Sequence, residues 1–292
     1  MPTAGLKQRL QEYPRVMGIV NINDDSFSGD GTLEVDQALT QAVQMAKDGA
    51  DVIDVGAESA RTNREAIAIR EEKDRLLPFL DAFEAACREA EPRDEEQIWP
   101  PLLSINTWRP EIVEAVLQTG RVDIINDIGG LTEDTNARLC FEYDAVLLIM
   151  HTVGEPKVAH TDEIYDDVWE SLEQFFIDRL TRARRIGLSD DQLILDPGID
   201  FAKQRDDNLR IYRELERLQQ HHLPILLPIS RKTVIGEVLG IEDPSRRDAG
   251  TVACLVRGLI AQADIFRVHN VRAIADSVRV IAAIQRESVT SS

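Results

Sequence analysis

Acidic, amide and basic side chains follow short apolar runs at many points along this sequence of 292 residues. Acidic and amide groups in such positions suit a flat heterocycle rich in donors, because a carboxylate can accept two parallel N–H bonds. Cationic groups in such positions suit a phosphate or pyrophosphate. The first set is Asn106, Asn126 and Asp196, and the second is Arg61, Lys232, Arg267 and His269, joined by Asn21. Together they predict a slot for a ring beside a basic mouth for an anion.

The apolar runs themselves recur at regular intervals, and the segments between them have helical periodicity. Runs that are apolar at consecutive positions are typical of strands buried on both faces of a parallel sheet. The runs are RVMGIVN (15–21), DVIDVGA (51–57), PLLSINT (101–107), DIINDIGG (123–130), AVLLIMH (145–151), LILDPG (193–198), PILLPIS (224–230) and DIFRVH (264–269). Gly49, Gly120 and Gly187 precede strands, at positions where helices commonly end. Eight strands alternating with helices predict an α/β fold, a (β/α)8 TIM barrel, in preference to an open doubly wound sheet.

Polar residues stand at the carboxyl end of every predicted strand. In a parallel barrel these ends meet at one rim, which is where catalytic residues lie. The rim residues are Asn21, Asp54, Glu58, Arg61, Asn106, Asn126, Asp127, His151, Asp196, Ser230, Arg231, Lys232, Arg267 and His269. Each alone has a plainer interpretation, such as a turn at Asp196 or a solvated helix start at Lys232. Polar groups on all eight strands favour a ligand site.

The composition indicates one large acidic domain over residues 1–292, without a compositional break. The net charge of −19 repels nucleic acid and anionic membranes, so neither is an expected partner. An anionic substrate therefore needs a local basic cluster that opposes the overall field.

The few cysteines and the amino-terminal segment bear on the compartment and on metals. Cys87, Cys140 and Cys254 have no metal-ligand spacing, which predicts buried thiols in a reducing compartment. The amino-terminal segment lacks the apolar stretch of a signal peptide, so a cytoplasmic protein is expected. No histidine pair has zinc-ligand spacing, and no protein-bound metal is predicted. Mg²⁺ that arrives with a phosphate substrate is compatible, because this ion keeps several waters and few protein ligands.

A series of ordered motifs resembles the dihydropteroate synthases, the folate-pathway branch of the pterin-binding barrels. The motifs are MGIVNINDDSFSGDG (17–31), GADVIDVGAESART (49–62), SINT (104–107), IINDIGG (124–130), MH (150–151), LDPGIDFAK (195–203), ISRK (229–232) and RVHNV (267–271). The resemblance covers nearly the whole chain, and each motif falls at a predicted strand end.

The resemblance implies a reaction that joins p-aminobenzoate to 6-hydroxymethyl-7,8-dihydropterin pyrophosphate and releases pyrophosphate. By the same resemblance, Asp196 and Asn126 hold the pterin, and Lys232 contacts it from the seventh strand and lines the aminobenzoate side. Phe201 helps to close over the aminobenzoate. The residues implied at the pyrophosphate and its Mg²⁺ are Asn21, Arg61, Arg267 and His269, with Asn21 as the candidate metal ligand. Ser230 belongs to the substrate-binding ISRK motif, and a homodimer formed through the helical shell is implied as well.

Several positions depart from the family pattern. Asn106 stands where the family has an aspartate that faces the pterin, so the site loses a negative charge. Asn23 and Asp24 replace a Thr-Pro pair in the first loop, and Asp24 adds an anion near the expected pyrophosphate. The remaining departures are Ala60 and Thr62, where the family has Thr and Pro, and Asp200 and Pro228, where it has glycine.

Two explanations of these departures remain open. One is a working synthase with an altered aminobenzoate pocket that tolerates sulfonamides. The other is a paralogue that keeps the pterin cradle but has changed or lost the chemistry. Methyl transfer from a methylated pterin uses the same barrel, but the retained ISRK and RVHNV motifs favour the branch that uses pyrophosphate.

Overall fold

The chain forms eight parallel strands surrounded by helices. The computed structural model describes residues 3–23, 31–58, 66–88, 90–154, 156–158 and 163–289, the last five without their side chains. The strands are β1 (Arg15–Asn21), β2 (Val52–Gly56), β3 (Leu102–Asn106), β4 (Ile124–Asp127), β5 (Val146–Met150), β6 (Leu193–Asp196), β7 (Leu226–Pro228) and β8 (Ile265–Val268). The α-helices are α1 (Leu6–Gln11), α2 (Val35–Lys47), α3 (Ile69–Cys87), α4 (Pro110–Leu117), α5 (Thr135–Glu142), α6 (Val168–Ile186), α7 (Arg205–Arg213), α8 (Thr233–Leu239), α9 (Asp248–Ile260) and α10 (Val271–Val289).

The strands pair in the order β6-β5-β4-β3-β2-β1-β8-β7, and every pair is parallel. β6 and β7 meet through an isolated parallel bridge between Leu195 and Ile225, which closes the ring. The predicted (β/α)8 barrel is confirmed, and the open doubly wound sheet is wrong. β7 is shorter than the predicted run 224–230 and ends at Pro228. A proline has no N–H for the ladder, which explains an early end to this strand.

Successive side chains of each strand point alternately into and out of the barrel, so the apolar side chains form two layers. Met17, Val52 and Ile265 lie in one cluster with other strand residues, inside the barrel. Leu6 and Leu10 of α1 belong to that same cluster. The other strand faces pack against the surrounding helices in a larger cluster. The polar carboxyl ends of the strands are thus left to form the site.

The local predictions outside the strands also hold in most cases. Gly49, Gly120 and Gly187 lie just after helices, as predicted, and each has a positive φ. Cys87 and Cys140 are buried and Cys254 is only partly buried, and all three are free thiols. None of the helices in the described part of the chain is long and apolar enough to cross a membrane.

Candidate active site

Asp54 lies at the centre of the polar rim. Its carboxylate is fully buried near the end of β2. One oxygen accepts a hydrogen bond of 2.6 Å from the Ser104 hydroxyl, and the other accepts one of 3.2 Å from the Asn126 amide. The second oxygen also accepts Nε of Arg267 at 2.7 Å. This carboxylate therefore joins three strands other than its own.

Arg267 is the basic partner in this arrangement. It lies on β8 with its side chain 21% exposed, and its terminal nitrogen is also 2.7 Å from Asp54. The guanidinium is buried against Asp54 on one side and is open to solvent on the other. The sequence places Asp54 at the rim but does not indicate its role. The strand register explains the pairing, because Asp54 and Arg267 flank Ile19 and Met17 of β1 on opposite sides.

Of the two polar atoms in the Asn126 amide, one has a hydrogen-bond partner in the described structure and the other has none. Nδ2 donates to Asp54, whereas Oδ1 is buried with no hydrogen-bond partner in the described structure. A buried acceptor without a donor costs about 1–3 kcal/mol. An N–H donor of a ligand would remove this cost, which fits the predicted slot for a donor-rich ring.

Asp196 supplies a second buried carboxylate, at the end of β6. It is 3% exposed and accepts a hydrogen bond of 2.7 Å from the backbone N–H of Gly198. Burial raises the pKa of Asp196 to about 6, and the nearby charges of Lys232, Arg267 and Lys203 oppose that rise. The group is therefore largely ionised at neutral pH and able to accept ring N–H groups.

Lys232 and Phe201 lie together at the mouth of the site. Nζ of Lys232 donates a hydrogen bond of 2.8 Å to the carbonyl of Ile199 and lies 5.2 Å from the centroid of the Phe201 ring. Removal from water lowers the pKa of Lys232, while Asp200 and Asp196 act in the opposite direction. The ammonium group and the ring thus form one amphipathic wall.

Ser230 and His269 form a pair across β7 and β8. The Ser230 hydroxyl lies 2.8 Å from Nδ1 of His269 and accepts the backbone N–H of His269 at 3.2 Å. A hydroxyl that accepts from the backbone is free to donate to Nδ1, which leaves Nε2–H as a donor. That donor suits an anionic ligand.

Asn21 and Asn106 lie on either side of Gly56. A Cβ atom added at Gly56 would be 3.9 Å from Oδ1 of Asn21 and 3.6 Å from Cβ of Asn106. Asn106 also pairs in register with Asn126. The structure thus brings the three predicted amides to the ends of β1, β3 and β4, on one side of the rim. Arg61, with Asp24, Ala60 and Thr62, lies outside the described residues.

Lys203 and His151 form a buried pair that the sequence does not predict. Nζ of Lys203 lies 2.8 Å from Nδ1 of His151 and donates to the carbonyls of Gly198 and Phe201 at 3.0 and 2.9 Å. Burial lowers the pKa of Lys203 to about 7 and, with the charge of Lys203, lowers that of His151 well below its ordinary value. The neutral imidazole therefore accepts from the amine. The lysine of the LDPGIDFAK motif was the available clue to this anchor of the loop after β6.

Other predicted rim residues support the loops around the site. Glu58 lies 3.2 Å from Arg109 and accepts the backbone N–H of Ile67. Asp127 accepts from Asn136, and Arg231 pairs with Asp248. Within the described ranges, no group of three or more His, Cys, Asp or Glu residues is placed to hold a metal.

Comparison with known proteins identifies the family of the chain. The model of the family described as "Pterin binding enzyme" matches residues 17–269. A dihydropteroate synthase of Synechocystis is 36% identical over 273 residues, with 93% of this chain and 90% of that protein covered. The Yersinia pestis dihydropteroate synthase, solved with a sulfonamide drug, is 30% identical with a TM-score of 0.84, and 95% of this chain and 96% of that chain are covered. The Xanthomonas albilineans enzyme, solved with 4-aminobenzoic acid, is 31% identical with a TM-score of 0.81, and 94% of each chain is covered.

The match runs from Met17 within β1 past the end of β8, and it contains every motif except the last two residues of RVHNV. The chain therefore belongs to the pterin binding enzymes and, within them, to the dihydropteroate synthases.

Proposed function

We propose that the protein joins p-aminobenzoate to 6-hydroxymethyl-7,8-dihydropterin pyrophosphate and releases pyrophosphate. The observation that carries this proposal is the unpartnered Oδ1 of Asn126, buried beside the fully buried carboxylate of Asp54. Asn126 and Asp54 present acceptor oxygens to the site, and no donor in the described structure bonds to Oδ1 of Asn126. The amino-pyrimidine edge of a pterin supplies N–H donors. The 4-aminobenzoic acid bound to the Xanthomonas albilineans enzyme supports the second substrate.

In this proposal the pterin lies between Asn126 and Asp196. The ionised Asp196 accepts from the amino-pyrimidine edge, and its burial strengthens the bond because water does not compete. Asn106 contributes an amide dipole at the next strand end in place of a carboxylate. These groups also stabilise positive charge that develops on the ring in the transition state.

The pyrophosphate group lies at the opposite side of the rim in this arrangement. Arg267 and the Nε2–H of His269 donate to it, Ser230 fixes the imidazole, and Arg61 is assigned there by family resemblance alone. Mg²⁺ would arrive as part of the pyrophosphate substrate. Asn21 offers one amide oxygen at a partly exposed strand end, and this fits an ion that takes few protein ligands. When bound, the ion would neutralise charge on the leaving group.

The chemistry then needs little proton transfer by the protein. The bond between the pterin methylene carbon and the pyrophosphate oxygen breaks, and the oxygen keeps the electron pair. The aniline nitrogen attacks the carbon as a neutral amine and gives up a proton after the C–N bond has formed. Lys232 and Phe201 hold the aminobenzoate in line for this attack, so positioning and charge stabilisation supply the rate.

We also propose that the protein acts as a homodimer formed through its outer helices. Large apolar side chains are exposed on α9 and α10, including Ile260 at 68%, Val280 at 59% and Ile284 at 66%. A second copy of the chain would cover such positions. Sedimentation equilibrium of the wild-type protein and of an Ile260→Glu variant tests this, and two monomers of identical mass would contradict it.

The function is tested by pyrophosphate release from the dihydropterin pyrophosphate with Mg²⁺, with and without p-aminobenzoate. Mass spectrometry detects dihydropteroate in the same samples. Release that depends on p-aminobenzoate and yields dihydropteroate is the expected result. Pterin binding without this product would show that the cradle persists in a protein with other chemistry. Inhibition by a sulfonamide at increasing p-aminobenzoate concentration tests whether the aminobenzoate pocket is altered.

A further inference from the structure

Asp200 has a backbone conformation that is unusual for its residue type. Its φ is +68°, in the left-handed region that favours glycine. Aspartate tolerates this region better than most residues, but at a cost in free energy. A side chain retained in a strained position needs contacts that compensate for it.

Those contacts are made to the amino-terminal end of α8. The carboxylate of Asp200 accepts the backbone N–H groups of Thr233 and Val234 at 2.5 and 3.3 Å. Lys232, the residue that precedes α8, makes no side-chain cap of its own. Asp200 therefore supplies the cap from the loop after β6, across to the segment after β7. The backbone N–H of Asp200 is itself fixed by Oδ1 of Asn208 at 2.8 Å.

The two neighbours of Asp200 contact the same segment. The carbonyl of Ile199 accepts Nζ of Lys232 at 2.8 Å, and the ring of Phe201 lies beneath that nitrogen. Three consecutive residues thus hold Lys232 by a carbonyl, by the cap of the helix that follows it, and by an aromatic face.

We propose that Asp200 is a positioning residue that holds Lys232 over Phe201 and so fixes the wall of the aminobenzoate pocket. This proposal rests on the proposed function for the identity of the substrate, but the positioning of Lys232 can be measured without turnover. A glycine at this position gives neither the cap nor the charge. Asp200 thus orders the aminobenzoate pocket.

The charges around Lys232 determine how its pKa changes when Asp200 is replaced. Asp200 and Asp196 face its ammonium group as anions, and Arg267 faces it as a cation. Lys203, held by the same loop, also lies close to Lys232, but its pKa of about 7 makes it largely neutral on the alkaline limb. Removal of the Asp200 charge leaves Asp196 as the remaining anion that raises the pKa of Lys232, while Arg267 still lowers it. The pKa of Lys232 should therefore fall, and the alkaline limb of the pH profile should move to lower pH.

The kinetic test compares Asp200→Gly with Asp200→Asn. The glycine relieves the backbone strain but removes the cap, so KM for p-aminobenzoate should rise about five-fold while kcat changes less. The asparagine keeps an oxygen to accept from Thr233 and should leave KM within about two-fold, but it should move the alkaline limb. Asp243→Gly is the matched control, because Asp243 caps the short helix Pro244–Arg246 through Ser245 at 2.9 Å. It should leave KM unchanged.

The second test does not depend on synthase activity. Acetic anhydride labels the neutral amine of Lys232, and peptide mapping gives the labelled fraction as a function of pH. Asp200→Asn should give a lower labelling midpoint, and Asp200→Gly should also label faster at high pH because Lys232 is less held. Unchanged labelling in both variants would overturn the inference. Altered labelling in a protein that makes no dihydropteroate would uphold the positioning of Lys232 and refute the proposed function instead.

Discussion

Replacement of Asp54 by asparagine tests the central ion pair of the site. The amide can still accept from Arg267 and Asn126 on one side and face the Ser104 hydroxyl on the other. What is lost is the negative charge of a fully buried carboxylate that lies 2.7 Å from Arg267. Asp54→Asn therefore separates the effect of charge from that of shape.

The expected loss of stability follows from the burial of the two partners. Breaking a fully buried pair costs about 3–5 kcal/mol, because one charge is left unpaired. The Arg267 side chain is 21% exposed and can recruit water, so we expect about 2–3 kcal/mol. For a domain of this size that lowers Tm by about 5–10 °C. The guanidinium also loses its fixed orientation toward the anion, so kcat/KM should fall roughly 100-fold.

The assay is a double-mutant cycle with Arg267→Gln, using thermal unfolding and pyrophosphate release. If the two residues act as a pair, the coupling free energy should be about 2 kcal/mol, and each single variant should lose most of the activity. The matched control is Asp264→Asn, because Asp264 is a carboxylate just before β8 that accepts the backbone N–H of Ile225 at 2.8 Å. It should keep wild-type kcat/KM. A coupling below about 0.5 kcal/mol, or full activity in Asp54→Asn, would refute the reasoning.

Three further predictions concern the charge, the protonation and the backbone of the site. Asn106→Asp should raise kcat about 10-fold, because it restores a negative charge near the pterin. The gain is smaller than a fully buried charge would give, since residue 106 is partly exposed. An unchanged kcat would mean that this side chain does not face the pterin. Burial raises the pKa of Asp196 to about 6, and only the ionised carboxylate accepts two parallel ring N–H bonds. Calorimetry should therefore show pterin affinity falling as the pH drops through that value, and Asp196→Asn should abolish this dependence. Gly198→Ala places a Cβ atom 1.9 Å from the carbonyl oxygen of His151 and should prevent folding or lower Tm by more than about 10 °C. Gly240→Ala has the same φ of +66° but no atom within 4 Å, so it should cost only about 1–2 kcal/mol; equal losses would contradict the steric argument.

The barrel was predictable because buried parallel strands are apolar at consecutive positions. The observed strands fall within the predicted runs, and Arg15–Asn21 matches its run at both ends. The early end of β7 at Pro228 was also open to prediction, since the missing N–H of proline is a local property. Motif order then placed Asn106, Asn126 and Asp196 at strand ends, where the structure has them.

The partners of the rim side chains were not predictable in the same way. Asp54 and Arg267 are 213 residues apart in sequence, and their contact depends on the register of β1 with both of its neighbours. Register is set by three-dimensional packing, and a shift by one residue would turn each side chain to the other face. The role of Asp200 was missed for a similar reason. Its type suggested a change in the aminobenzoate pocket, while its carboxylate reaches a helix that begins 33 residues later.

The closure of the barrel by one bridge between Leu195 and Ile225 has a consequence for its breathing motions. A ring of strands opens most easily where the fewest backbone bonds hold it, so amides beside this junction should exchange with deuterium before those of β2 and β3. Asp196 directly follows Leu195 on one side of the junction, and Lys232 lies beyond Ile225 on the other. A ligand bound to both residues would connect β6 to the segment after β7, in addition to the single backbone bridge. Substrate binding should then slow exchange at the junction and, through it, in strands that the ligand never touches.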